Sequence, residues 1–344
     1  MLDAKETISM YCDTFFGILL SLFCIVFIHT RPKDWNIKEY SFILICQFVF
    51  GIINCISLVI LRIHVQVFEN YMIVYYEFLS TDLYDFVSNR VYFSLTMYLC
   101  HISISFPTAV MIARYIVLCR TGKINTKKLF LILLFLFSLN LLVFFSCWMI
   151  TEEEISEDVI RRWAIFSNNK SIYITPYVKG IGCTVHFNTF YPIFFGIGLF
   201  FIINYIIVIT LYIKYQLHMK KFGNTILEST KKMHKDFGKI LYYQSIIPTI
   251  LSGIPSIIYF FLVSIGVDGF TKNMGTQIIQ LLNFTPAVNA ALFLFLLPRH
   301  RREVKRMFKR IFFKCFKKKS NVVFTVESNC KFSFDKRKSL VNRI

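Results

Sequence analysis

The sequence predicts an all-α membrane protein: a seven-transmembrane helix bundle with its N-terminus outside and an amphipathic interfacial helix after the seventh span. Three observations carry this expectation. The 344 residues are 56% hydrophobic and 17% aromatic, with a mean hydropathy of +0.56, more apolar than a soluble protein whose surface must be polar. Seven runs reach the roughly 20 apolar residues that a helix needs to cross a bilayer core. The net charge of +19 lies mostly between and after those runs, which selects a membrane surface over nucleic acid as the partner of the charge.

In chain order the spans are 11–30, 41–62, 91–118, 129–150, 189–213, 240–265 and 275–297. The segment 63–90 is apolar from Tyr71 to Leu79 but broken by Glu77, and reads as an outer loop that extends the neighbouring helices. The N-terminus carries Asp3, Lys5 and Glu6 and lacks the basic region of a cleaved signal peptide, so the first span serves as the insertion signal.

Lys and Arg in the connections set the orientation. With the N-terminus outside, the cytoplasmic segments 31–40, 119–128, 214–239 and 299–344 hold 3, 4, 7 and 16 of them, 30 of the 39 in the chain. The outer segments hold 8 basic residues and 13 of the 20 acidic ones, Glu152, Glu153, Glu154, Glu157 and Asp158 among them. Asn169-Lys170-Ser171, between spans four and five, is then a lumenal glycosylation candidate at Asn169. Asn283-Phe284-Thr285 matches the same triplet inside span seven, out of the transferase's reach.

The chain divides into the bundle, 1–298, an amphipathic helix, 299–316, and a basic tail, 317–344, read as disordered. In the helix Val304, Met307, Phe308, Ile311, Phe312 and Cys315 recur on one face and Arg301, Arg302, Lys305, Arg306, Lys309 and Arg310 on the other. Such a helix lies in the inner leaflet interface against anionic lipid heads, and Cys315 is a palmitoylation candidate.

Composition also excludes function classes. No Asp, Glu or Lys falls mid-span, so a proton relay or hydrolytic dyad has no acid to use. There is no Gly-rich phosphate loop and no Ser/His/Asp arrangement, so no enzyme is expected. The absence of an internal repeat disfavours transporters built from inverted repeats. The ten cysteines show neither CxxC nor zinc spacing, so neither a metal site nor a cofactor is expected.

Arg114 is the informative charge, near the cytoplasmic end of span three. With seven spans, an outer N-terminus, a basic third inner loop and an amphipathic helix after span seven, Ala113-Arg114-Tyr115 resembles the acid-Arg-Tyr triplet of rhodopsin-like G-protein-coupled receptors, with Ala in place of the acid. Other landmarks are missing. Span two offers Gln47 and Asn54 but no Asp, Asn89 stands where the third-helix disulfide Cys would pair with Cys183, and Ser252-Gly253-Ile254-Pro255 lacks the Cys and Trp of the sixth-helix motif. Of the seventh-helix Asn-Pro-x-x-Tyr, Asn289-Ala290-Ala291-Leu292-Phe293 keeps the Asn. Span six carries a narrower resemblance: Gln244-Ser245-Ile246-Ile247-Pro248 with Pro255 behind it, and the cluster Pro298, Arg299, Arg301, Arg302, are similar to nematode serpentine chemoreceptors, subfamily left open.

The resemblance implies a G-protein-coupled chemosensory receptor of the plasma membrane, possessed of an odorant or other small-molecule ligand and a heterotrimeric G protein as partners, in a sensory cilium for such cells. Arg114, Tyr115, Lys231, Lys232 and Arg299 would contact the G protein. Pro107, Pro248, Pro255 and Pro286, each removing a backbone donor, would kink spans three, six and seven as switch elements together with Asn289. Ser94, Tyr98 and His101 on span three are the ligand-pocket candidates. The competing expectation is a ligand-gated cation channel of the insect odorant receptor type, which has the opposite topology.

Overall fold

The computed structural model describes residues 4–30, 38–61, 63–68, 71–76, 86–121, 124–151, 153–154, 158, 162, 181–184, 191–192, 194–222, 242–265, 274–296, 300–307 and 309. Seven of its helices are long and apolar enough to cross a membrane, and they form a seven-transmembrane bundle. They are α1 (Ala4–His29), α2 (Lys38–Leu61), α3 (Phe86–Tyr115), α4 (Thr126–Ile150), α5 (Leu199–Phe222), a sixth span over Tyr242–Val263 that ends in α6 (Ile254–Ser264), and α7 (Met274–Phe295). The chain divides into two units, Met1–Phe293 and Leu294–Ile344. In the second, residues 300–307 are helical, with Val304 buried and Arg301, Arg302, Lys305 and Arg306 exposed.

α3 is the axis of the bundle, packed against α2, α4 and α5. α4 starts at an Asn125 cap, whose Oδ1 accepts from the backbone N–H of Lys128 at 3.0 Å and so satisfies one of the donors a helix start leaves open. Three spans depart from α geometry in short π segments: Ile116–Thr121 directly after α3, Phe194–Gly198 before α5, and Thr249–Gly253 in span six.

One region departs from the all-helical expectation. Residues 63–90 are not simply loop and helix extension: Ile63–Phe68 (β1) and Tyr71–Tyr76 (β2) form an antiparallel hairpin with Val65 opposite Val74, and α3 takes up the segment only from Phe86. β2 pairs antiparallel with Ile181–Thr184 (β4), which pairs in turn with Glu153–Glu154 (β3), giving the order β1-β2-β4-β3. The physical reason is in the residues. Ile63, Val65 and Val67 alternate with His64 and Gln66, a two-residue period rich in β-branched side chains, which suits a strand better than a helix. Ile63, Val65, Val67, Met72 and Val74 are buried in the same apolar core as Phe93, Met97, Cys100 and Ile104 of α3.

Candidate ligand cavity and transmission site

Beneath the hairpin lies a small cavity of about 10 Å³. Val65 and Met72 of the hairpin roof it, Phe93 and Met97 of α3 form one wall, Tyr259 and Phe260 of α6 a second, and Gly275, Ile278 and Ile279 of α7 a third. No charged residue lines it. It is narrow as found, so an occupant must displace side chains. Met72 and Met97 are suited to that, because an unbranched thioether repacks at small cost.

The roof is fastened to α7. Thr276 Oγ1 accepts from the backbone N–H of Val65 at 3.3 Å and donates to the Val65 carbonyl at 3.4 Å. Gly275 is what lets the strand come this close, since a Cβ there would overlap the Val65 carbonyl oxygen and the Tyr259 hydroxyl.

Below the cavity the helices are joined by buried polar ties. Asn289 Nδ2 of α7 donates to the Ser103 carbonyl of α3 at 2.9 Å, and Cys100 Sγ donates to Asn54 Oδ1 of α2 at 3.3 Å. Thr108 Oγ1 donates to Asn204 Oδ1 of α5 at 2.7 Å, and Asn140 Nδ2 of α4 donates to Ser105 Oγ at 2.8 Å. Pro107 and Pro286 sit inside α3 and α7. In span six, Pro248 and Pro255 flank the π segment, where Ile254 N–H donates to the Thr249 carbonyl, one residue beyond the α-helical partner. Thr249, Ser252 and Ser256 each donate a hydroxyl to the carbonyl four residues back, a pattern that bends helices. This bulge leans on α5: Tyr205 and Thr249 are hydrogen-bonded, and Gly253 leaves room for the Phe201 ring, which a Cβ would meet at 2.8 Å.

At the end of the bundle away from the hairpin, Arg114 and Tyr115 close α3, both half-buried. The chain does not stop there, because the π segment continues it to Thr121. Tyr215 of α5 is buried. Burial raises the pKa of the Cys119 thiol.

A family model described as serpentine type 7TM GPCR chemoreceptor Str matches residues 6–305. The chain belongs to this family. The match runs through all seven spans. The Str chemoreceptor is thus a receptor of the G-protein-coupled class and a multi-pass membrane protein. No curated protein matches it.

Within this Str receptor the sequence candidates separate. Ser94, Tyr98 and His101 do not line the cavity. Tyr98 packs edge-on against Phe144 of α4, and His101 donates Nδ1–H to the Met97 carbonyl at 2.8 Å while its ring meets Phe200 and Phe201 of α5. The cavity wall is instead Phe93 and Met97, each one residue before Ser94 and Tyr98. Polar character does not mark them, and the signal that finds them is the heptad-like spacing of Phe93, Met97, Cys100 and Ile104 along α3. Pro107 lies in α3, Pro248 and Pro255 on either side of the π segment of span six, and Pro286 and Asn289 in α7. Lys231, Lys232, Arg299, Asn169 and Cys315 lie outside the described residues. Among the described residues no group of three or more His, Cys, Asp and Glu is placed to hold a metal ion.

Proposed function

We propose that this Str chemoreceptor sits in the plasma membrane with its N-terminus outside, binds an external small apolar molecule in the cavity beneath the hairpin, and activates a heterotrimeric G protein at the opposite end. The observation that carries this reading is the cavity itself, since one apolar space touches α3, span six and α7 together. An occupant that pushes these walls apart favours one arrangement of the bundle over another, and only such differential contact shifts a conformational equilibrium. The bulge between Pro248 and Pro255 is the element able to swing, and Asn289 and Ser103 tie α7 to α3.

At the inner end Arg114 and Tyr115, with Lys231 and Lys232 of the third inner loop and Arg299 after span seven, form the surface for the G protein. The basic helix that begins at 300 rests on anionic inner-leaflet lipids, with Cys315 as a palmitoylation point, and Asn169 carries a glycan on the outside. The excess of Lys and Arg in the segments assigned to the cytoplasm supports this orientation.

The test is nucleotide exchange on a co-expressed G protein across a panel of apolar odorants. Met97→Trp, which fills the cavity, is expected to abolish the ligand response while leaving receptor at the surface. Arg114→Ala is expected to keep both surface level and ligand binding and to reduce stimulated exchange by about tenfold, roughly 1.4 kcal/mol of lost coupling. Unchanged exchange in Arg114→Ala removes Arg114 from the coupling surface.

A further inference from the structure

α5 and span six run antiparallel and meet at three places that keep step along both helices. Phe201 of α5 occupies the notch left by Gly253, where a Cβ would come within 2.8 Å of its ring. Four residues further along α5, Tyr205 is hydrogen-bonded to Thr249, which lies four residues before Gly253. Seven more residues in the same directions bring Tyr212 to Tyr242, with ring centroids 4.7 Å apart and planes inclined by 32°. Seven helical residues span about 10 Å, so the tyrosine pair lies that far inward of the Tyr205–Thr249 bond, toward the end of the bundle that carries Arg114.

The two partners differ in what lets them bend. α5 contains neither Pro nor Gly from Leu199 to Phe222, and its Asn204 is fastened to Thr108 of α3. Span six has Pro248, the π segment Thr249–Gly253 and Pro255 in succession, with three hydroxyls bonded back to its own carbonyls, the features at which helices kink. The bend in span six and the Tyr205–Thr249 bond are at the same level. A swing of the inner turns about that level leaves the bond in place, while a change of about 20° in the kink carries Tyr242 roughly 3.5 Å at the end of a ~10 Å arm. The two rings then stand beyond the ~7 Å within which aromatic pairs attract.

We infer that Tyr212 and Tyr242 form an aromatic latch, which holds the inner turns of span six against α5 in the closed receptor and parts when the bundle opens. Tyr205 with Thr249, and Phe201 with Gly253, persist as the hinge. The effect of the latch on signalling rests on the proposed function, whereas the latch itself does not. A ring pair suits the task because its attraction is worth roughly a two- to tenfold shift in population, which differential ligand contact in the cavity can overcome.

Hydrogen exchange of backbone amides in residues 242–249, read by mass spectrometry on the full chain in lipid nanodiscs, tests the latch with neither ligand nor G protein present. Tyr212→Ala is expected to speed this exchange about three- to tenfold while α3 keeps its wild-type protection, which marks the variant as folded. Tyr212→Phe, which keeps the ring, is expected to stay at the wild-type rate. The Tyr212→Ala/Tyr242→Ala double variant is expected to be no faster than Tyr212→Ala, since one contact is lost in both. In a Tyr212→Cys/Tyr242→Cys variant, a reducible bis-methanethiosulfonate cross-linker is expected to restore slow exchange, and reduction to release it. An unchanged rate in Tyr212→Ala, an equal rise in Tyr212→Phe, or additive rises in the double variant overturns the latch. Basal nucleotide exchange on a co-reconstituted G protein is expected to follow the same order. Hydrogen exchange that responds as stated, with no nucleotide exchange from any variant or from wild type, upholds the latch and overturns the G-protein reading.

Discussion

α3 and α4 lie against each other along most of their lengths, yet their sequences answer to different surroundings. α4 is the most apolar of the seven spans and 33% of it is buried; α3 is the least apolar and 78% of it is buried. α4 turns Phe130, Leu131, Leu134, Phe145 and Met149 outward, while α3 hides Ser94, Thr96, His101, Ser103, Ser105 and Thr108. The rule of soluble proteins is reversed because the outside is hydrocarbon. A Leu gains nothing by leaving lipid for a helix interface, so lipid-facing positions are apolar by default. Interior positions are filled by small and hydroxyl-bearing residues that allow close approach and cross-helix bonding. The same trend marks α7, which is second in both respects.

The largest expected effect comes from breaking the narrow stripe by which α4 does meet the bundle. Ser146 donates to the Pro192 carbonyl, and Gly196 lies so close that a Cβ would overlap Ser146 and crowd the Leu142 carbonyl. Because one of the obstacles is backbone, Gly196→Val is expected to destabilise by about 3 kcal/mol or more, read as loss of the thermal transition of purified receptor and retention of the chain inside the cell. A folded Gly196→Val receptor with an unchanged transition would show that α4 is held by lipid rather than by this contact.

Much of the bundle was legible in sequence because a membrane span is defined by length, and the seven helices found correspond to the seven apolar runs. The doublet Pro248 and Pro255 pointed to the bend of span six, though not to its π geometry, which depends on the three hydroxyls between and after the prolines. The sheet was harder. Its strands are six residues or fewer, and β2 pairs with β4 more than a hundred residues away, so no window of sequence contains the partnership. The cavity was harder still: Phe93 and Met97 are ordinary apolar residues on a span full of them, and they become a wall only once β1, β2 and the start of α7 are brought over them. Tyr98 and His101, conspicuous as polar residues, are conspicuous because they tie α3 to its neighbours.

Smaller effects sharpen the contrast on the α3 side. Thr108→Val keeps the shape of the side chain but leaves Asn204 Oδ1 without the hydroxyl that donates to it at 2.7 Å. The expected cost is about 1 kcal/mol, in the range found for single hydrogen bonds between membrane helices, measured as a downward shift in reversible unfolding. If the Thr108→Val/Asn204→Leu double variant recovers most of that loss, the penalty belongs to the orphaned amide rather than to the bond, as expected when a buried polar group loses its partner.

The smallest effect should fall on the outer face of α4. Leu131 is 60% exposed, so in a membrane its neighbours are acyl chains both before and after assembly. Leu131→Ala is expected to change stability by less than about 0.5 kcal/mol, against the 2 kcal/mol or more that Leu→Ala costs in a packed core. A core-sized loss at Leu131 would mean that this face is covered by protein in the working receptor. The comparison between α3 and α4 would then become one between an interior helix and an interface helix, and the apolar excess of α4 would reflect a second partner instead of lipid.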